Sequence, residues 1–382
     1  MNMLAKLKLS LKISKKSVFF TLLILCFPVV VYYGWPLFQD YTILNQVKSD
    51  EEKIKSYSQK AKLTPNDAQS LLDLGDAYMA FWESSGKGIR VAKNLDQSLA
   101  WNWLMNRSDV VEDAVLAYEK SLKINPRLVG SQVGLCYAFV EIGNTKKALS
   151  FCRQAVDKQP QNSRNYQNLG FALVQENQPQ EAEKILNKSL KLDQENAIIY
   201  YLLGDALLLQ EKTQEAVVAY RKSIELDPKG NLTYLHLGYA LRIQNQIDEA
   251  IAVYRKSIEL VPNYPPAYQK LGDLLAEENR LDEAISTYHQ AMEIDRSGRY
   301  GMESYIGLGQ VLVKQKKLDE AIKIYRQAIE LEPKNSNVYY LLGLALIEQK
   351  KIKDAVLAFQ ESLKLDPQNT DAREQLNKIK KL

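Results

Sequence analysis

One feature constrains this chain more than any other: a segment that returns every thirty-four residues. YRKSIELDP at 220–228 reappears as YRKSIELVP at 254–262. Gly170, Gly204, Gly238 and Gly272 follow the same period, each directly after a leucine. So do Ala148, Ala182, Ala216, Ala250 and Ala284. After a three-residue lengthening around Ser297, Gly298 and Arg299, the pairs Gly309/Ala321 and Gly343/Ala355 resume it. Self-similarity at this length means that one small unit stacks on copies of itself, because a single copy cannot bury its apolar face alone.

Inside a unit the apolar spacing is helical. Tyr234, Leu237, Gly238 and Leu241 fall at i, i+3, i+4 and i+7, one stripe of a first helix. Ala250, Tyr254 and Ser257 give the stripe of a second helix, and Pro262 ends the unit. Asp248 and Glu249 stand where a helix amino terminus favours negative charge. Gly238 and Ala250 are expected to be small so that two helices approach closely, and Tyr254 to fill the space between units.

These residues resemble the tetratricopeptide repeat, with its aromatic-x2-Leu-Gly-x2-aromatic, Ala-x3-aromatic, Pro pattern. The resemblance covers eight units over residues 65–367 and implies an all-α fold, a right-handed superhelix (α-solenoid) of helix-turn-helix repeats. Tyr166, Tyr200, Tyr234, Tyr268, Tyr305 and Tyr339 occupy the first aromatic position. Tyr118, Tyr220, Tyr254, Tyr288 and Tyr325 occupy the second, so eleven of the 22 tyrosines are read as packing. The family binds proteins and peptides of many kinds, so fold alone names no partner.

Both ends depart from the pattern. Gly75 and Ala114 of the first unit are 39 residues apart where regular units separate the pair by 12, an insertion of 27 residues placed at 82–108. Gly86 and Gly88 read as a turn, and Leu95, Leu99 and Trp103 as a short amphipathic helix after it. With Trp82 and Trp101 this stretch is either a local cap on the array or a docking element. Its Gly-Lys-Gly lacks the earlier glycine and the following Ser or Thr of a phosphate loop. Residues 368–382 carry Ala372, Leu376 and Ile379 on one stripe and read as a capping helix.

The amino-terminal end is different again. Residues 1–17 are basic, with Lys6, Lys8, Lys12, Lys15 and Lys16 and no acid. Residues 18–38, VFFTLLILCFPVVVYYGWPLF, hold no charge, and about 20 apolar residues span a bilayer as a helix. Tyr32, Tyr33 and Trp35 lie where rings favour the interface. The expectation is an uncleaved anchor that makes this a single-pass membrane protein. Its amino terminus would be cytoplasmic, the array exoplasmic (periplasmic or lumenal), and residues 39–64 a polar juxtamembrane spacer. Of the 50 basic residues, five precede the anchor, leaving 45 against 46 acidic ones, so the body lacks the excess that nucleic acid binding needs.

Chemistry-bearing patterns are sparse. The two histidines, His236 and His289, are far apart, and no Cys-x2-Cys, His-x3-His or acidic calcium loop occurs. Neither a metal nor a cofactor site is expected, nor a catalytic role. Cys136 and Cys152 take the glycine and aromatic positions of the second unit. They are small apolar fillers or, if the body is exported, a disulfide.

The face opposite the packing stripe is unusually apolar for a soluble helix. Tyr137, Phe171, Tyr201, Leu202, Leu235 and Tyr239 fall there, edged by Arg164, Asn168, His236, Arg242 and Lys270. The resemblance implies that this face lines a groove suited to a peptide with hydrophobic anchors. Part of it can instead be consumed by packing between neighbouring first helices. Position 5 of each unit carries no lysine, against the clamp that grips chaperone tails. The functional expectation is a non-catalytic scaffold that binds a protein or peptide and aids assembly of a membrane or envelope complex. The alternatives are an adaptor working through the outer surface or the insertion, and an accessory subunit of an enzyme.

Overall fold

The computed structural model describes the backbone of residues 35–95, 97–295 and 301–379, and the side chains of 46–83, 109–295 and 301–379. Among the described residues there are 18 α-helices and no strand. They divide into two compact units, one ending at Glu176 and one beginning at Asn177.

The first unit holds α1 (Trp35–Leu63), α2 (Ala68–Leu95), α3 (Gln97–Ile124), α4 (Val129–Glu141), α5 (Thr145–Lys158) and α6 (Ser163–Gln175). The second holds α7 (Pro179–Leu192), α8 (Ala197–Leu208), α9 (Thr213–Leu226), α10 (Asn231–Ile243), α11 (Ile247–Leu260) and α12 (Pro265–Glu277). It continues with α13 (Leu281–Ile294), α14 (Met302–Lys314), α15 (Leu318–Leu331), α16 (Ser336–Glu348), α17 (Ile352–Leu365) and α18 (Thr370–Ile379). From α4 onward the first helices run 12 or 13 residues and the second helices 14.

Close approach of the two helices of a repeat is set by glycine and alanine. A Cβ built on Gly238 would stand 2.5 Å from the Tyr254 ring, and one on Gly204 would stand 2.4 Å from the Tyr220 ring. The same contact joins Gly75 to Tyr118, Gly272 to Tyr288, Gly309 to Tyr325 and Gly343 to Phe359. Each ring therefore lies against the glycine of its own repeat. It also meets the next first helix in places: Gly134 faces Tyr118 and Gly307 faces Tyr288. Ala114, Ala148, Ala182, Ala216, Ala250, Ala284, Ala321 and Ala355 are all fully buried. At the repeat boundary Tyr234 and Tyr268 donate to the carbonyls of Pro228 and Pro262, the residues that close the preceding repeat.

The first helices stop by a common device. Gly143, Asn177, Glu211, Asn245, Asn279, Lys316 and Lys350 all have φ between 54° and 72°. This left-handed residue lets following amides cap the last carbonyls, as where the Gln246 amide donates to Leu241 at 2.9 Å. Asparagines then open several first helices: Asn162 accepts from the Arg164 amide and Asn196 from that of Ile198.

Two expectations about the amino-terminal end are corrected. Residues 39–64 are not a spacer. They belong to α1, whose Val47, Ile54, Tyr57 and Ala61 share one face. Val47 is buried with Phe81 and Val110, and Ala61 with Leu71, Leu74 and Ala117. A helix that buries such a stripe is held by packing whatever its mean polarity. Secondly, Gly86 and Gly88 form no turn: α2 runs through both to Leu95 and α3 starts at Gln97. The insertion is a lengthening of both helices of the first repeat to 28 residues each. Each glycine costs about 1 kcal/mol in a helix, which an established helix continuing by one hydrogen bond per residue can outweigh.

Of the apolar run 18–38, residues 18–34 lie outside the described residues, and the last four begin α1. No helix among the described residues is long and apolar enough to cross a membrane. At the carboxyl end α18 buries Ala372 and Leu376, and Ile379 packs beside them.

Gly238→Ala is expected to lower stability by about 1–3 kcal/mol, measured as a urea midpoint shift. The roughly 1 kcal/mol gained in helix propensity is smaller than the cost of displacing the buried Tyr254 ring. Glu211→Gly acts the other way. It should raise stability by about 0.5–1 kcal/mol, because a side chain at φ 61° is strained and glycine is not.

Candidate functional site

The second unit contains the better-developed patch. Along α8 and its C-cap, Ile198, Tyr201, Asp205 and Leu209 recur at helical spacing, and along α10 so do Leu232, His236, Tyr239 and Ile243. Ile198, Leu209, Leu232, Tyr239 and Ile243 are exposed. Between these apolar ends lies a polar centre. His236 Nδ1 stands 2.7 Å from Asp205 Oδ1, and Tyr220 donates its hydroxyl to the same oxygen at 2.6 Å. The Tyr201 hydroxyl is 3.4 Å from His236 Nε2, and the two rings meet edge to face at 5.1 Å. Burial pushes the phenols of Tyr201 and Tyr220 well above their ordinary range, with Asp205 adding to the effect. They act as hydrogen-bond donors and not as ionised nucleophiles.

Between the end of α10 and the next first helix, α12, the character becomes charged. The Arg242 guanidinium lies 5.7 Å from the Tyr239 ring centroid and 3.5 Å from Glu277. Asp273 accepts from Tyr288 at 2.7 Å. Burial raises its carboxyl above the usual value, while Tyr288, Lys270 and Arg242 pull it partly back.

A second patch belongs to the first unit. Glu83 accepts from the Tyr137 hydroxyl at 2.6 Å and from the Arg164 guanidinium at 2.5 Å. Arg164 also stacks on the Tyr137 ring, 4.3 Å from its centroid, and Trp82 meets that ring edge-on at 6.3 Å. Phe171 is half-buried in the same unit.

Three predicted groove residues are withdrawn from the surface. Leu202 and Leu235, at 2% and 9% exposure, are buried in the core, and Asn168 is buried with only 6% exposed. Burial puts these positions out of a partner's reach. Trp82 packs beside Val47, Phe81 and Val110 in addition to Tyr137. The side chains of Leu95, Leu99, Trp101 and Trp103 lie outside the described ones. Cys136 and Cys152 form a disulfide, with a Cα–Cα distance of 4.7 Å between α4 and α5. No group of three metal-ligating side chains gathers among the described residues.

Several residues that matter were not singled out from the sequence, although a signal existed. Leu-Gly-Asp occurs at 74–76, 203–205 and 271–273. In each, the aspartate accepts from the tyrosine that packs on the preceding glycine: Tyr118 to Asp76, Tyr220 to Asp205, Tyr288 to Asp273. The triplet thus marks repeats whose buried ring is tethered to the aspartate that follows its glycine. Glu83 had no such signal, since its partner Arg164 is 81 residues away.

Family profiles described as TPR repeat match residues 238–277 and 309–350, and profiles described as tetratricopeptide repeat match 168–231, 265–297 and 336–369. These stretches are tetratricopeptide repeats. The matched residues begin at 168, beyond the lengthened first repeat and the cysteine-bearing second one, where the same helix pairs persist with an altered pattern. Among solved structures, yeast Tom70 is similar with a TM-score of 0.54 at 16% identity, over 92% of this chain and 91% of that one. A chain of the APC/C hetero-tetramer Cut9-Hcn1 is similar with a TM-score of 0.51 at 19% identity, over 89% and 74% respectively. At such identities the likeness shows the fold, an all-α tetratricopeptide solenoid. Comparison with curated proteins finds no match.

Asp273→Asn tests the buried carboxyl. The raised value means that the folded state binds the proton more tightly than the unfolded chain. Wild-type stability should therefore fall relative to Asp273→Asn as pH rises above 3.8 through the folded value, then run parallel. Urea midpoints of both proteins across that window check the sign; an opposite slope contradicts the desolvation account.

Proposed function

We propose that this chain is a non-catalytic, membrane-anchored tetratricopeptide scaffold that holds a protein or peptide segment and aids assembly of a membrane or envelope complex. One observation carries the binding reading: the exposed apolar stripes on α8 and α10 flank a prearranged hydrogen-bonding centre at Tyr201, Asp205 and His236. A segment with two hydrophobic anchors and polar groups between them complements that pattern. Because the polar side chains already bond one another, little ordering is needed on binding.

The anchor is residues 18–38, with the basic 1–17 segment cytoplasmic and the array exoplasmic. The disulfide between Cys136 and Cys152 supports that side, since such bonds persist in oxidising compartments. The adaptor reading has its own observation: Val218 and Leu357, on second helices, are each 61% exposed.

The test is a pull-down with the full membrane-extracted chain and mass spectrometry of what it retains. Leu232→Ala/Tyr239→Ala/Ile243→Ala is expected to weaken retention on the order of 10-fold or more, from about 1 kcal/mol per anchor. Val218→Ala/Leu357→Ala should leave it unchanged. The reverse result would replace the groove by the outer surface. Protease protection in sealed vesicles reports the side: digestion of the array from the cytoplasmic face would overturn the proposed orientation.

A further inference from the structure

In the second unit, arginines link several of the second helices to one another. Arg221 of α9 meets Glu249 of α11 at 2.6 Å, and Arg255 of α11 meets Glu283 of α13 at 3.3 Å. One repeat further on, with the three-residue lengthening of the period counted, the same two positions hold His289 and Glu320. An imidazole is shorter than an arginine side chain, and among the described residues no ion pair joins His289 to Glu320.

The cleft that this link would cross is the wider one. Between α11 and α13, with Arg255 and Glu283 in its wall, the cleft has a volume of about 380 Å³. Between α13 and α15 it has about 570 Å³. The floor of the wider cleft is apolar. Tyr305 and Leu312 of α14 and Ile324 of α15 are buried there, with Met292 and Leu331 half-buried beside them. The rim is acidic. Glu293, Glu320 and Glu330 stand exposed against one lysine, Lys323, a net charge of −2 with His289 neutral. Among the described residues none of these three carboxylates has a hydrogen-bond or ion-pair partner.

An apolar floor under unpaired carboxylates complements a cationic partner with a hydrophobic anchor. The spacing of the acids says more. Glu320 and Glu330 are ten residues apart on α15, about 15 Å along its axis. Glu293 takes the position of Glu330 one repeat earlier, at the same end of the cleft. An extended chain advances about 3.3 Å per residue, with alternate side chains on one face. Two basic side chains four residues apart thus approach both ends, with an apolar side chain midway over the floor. We propose that the α13–α15 cleft docks an extended basic segment of a partner polypeptide, whose arginine bonds Glu320 as Arg255 bonds Glu283. A second cation of the segment pairs with Glu330 beside Glu293, and the apolar residue between them fills the space above Leu312 and Ile324. The partner supplies from outside the link that α9, α11 and α13 make for themselves. This surface is separate from the α8–α10 patch and does not depend on it.

The probe is a dansyl-labelled Arg-Thr-Leu-Thr-Arg peptide, read by anisotropy against the full-length chain in neutral detergent. Saturable binding tighter than about 1 mM is expected, with no binding of the Glu-Thr-Leu-Thr-Glu counterpart. Glu320→Gln/Glu330→Gln should weaken it roughly 10-fold, the combined worth of two exposed ion pairs. His289→Arg should weaken it too, because the new guanidinium occupies Glu320 as Arg255 occupies Glu283. Glu112→Gln/Asp157→Asn in the first unit and the Leu232→Ala/Tyr239→Ala/Ile243→Ala variant should leave it unchanged. No saturable binding overturns the proposal, as does unchanged binding in either cleft variant with helicity retained. Equal weakening by Glu112→Gln/Asp157→Asn overturns it in favour of attraction to charge at large. Loss in the α10 triple variant overturns it by assigning the peptide to the other patch.

Discussion

Everything regular in this protein depends on an aromatic ring lying directly on a glycine backbone. In six repeats a Cβ at that glycine would come within 2.3–2.7 Å of the ring of the same repeat's second helix. No ordinary side chain fits there, so glycine sets the helix separation and the ring fixes the crossing. The buried alanine of the second helix completes the close approach. The second repeat keeps the geometry by other means: Cys136 and Cys152 stand at the glycine and ring positions and join covalently. The third puts Leu186, fully buried, at the ring position. One steric requirement thus has three chemical solutions in a single chain.

The same ring connects the core to the surface. Where the glycine is followed by aspartate, the buried tyrosine hydroxyl finds its partner there, as a desolvated phenol must. Asp205 then has a further lone pair for His236, and His236 meets Tyr201. The polar centre at Tyr201, Asp205 and His236 is in this way positioned from beneath by the packing of its own repeat. That accounts for a surface patch with defined orientations.

Helical periodicity made much of this legible beforehand. A thirty-four-residue period with Gly238, Ala250 and Tyr254 at fixed offsets is enough to place helix pairs, because both the 3.6-residue stripe and the glycine contact are local rules. Tyr239, His236, Arg242 and Lys270 were placed on the non-packing face by the same counting. Periodicity is blind to whatever hangs on a neighbour. Leu202, Leu235 and Asn168 have the right angular position but are buried. Gly86 and Gly88 suggest a turn by composition, yet they continue a helix already under way. The weak stripe of Val47, Ile54, Tyr57 and Ala61 acquires meaning only when α2 and α3 lie against it.

By itself, then, the sequence determined the repeat, the helix pairs of its regular units and the small residues at each crossing, since these follow from contacts within about forty residues. Tertiary structure alone decided which apolar residues remain exposed. It also brought Glu83 to Arg164 across 81 residues and joined the two cysteines. It made three helices of 28 or 29 residues stand side by side at the amino-terminal end. The physical reason is the same in each case: periodicity reports the direction a side chain points, whereas burial and pairing depend on which other surface arrives to meet it.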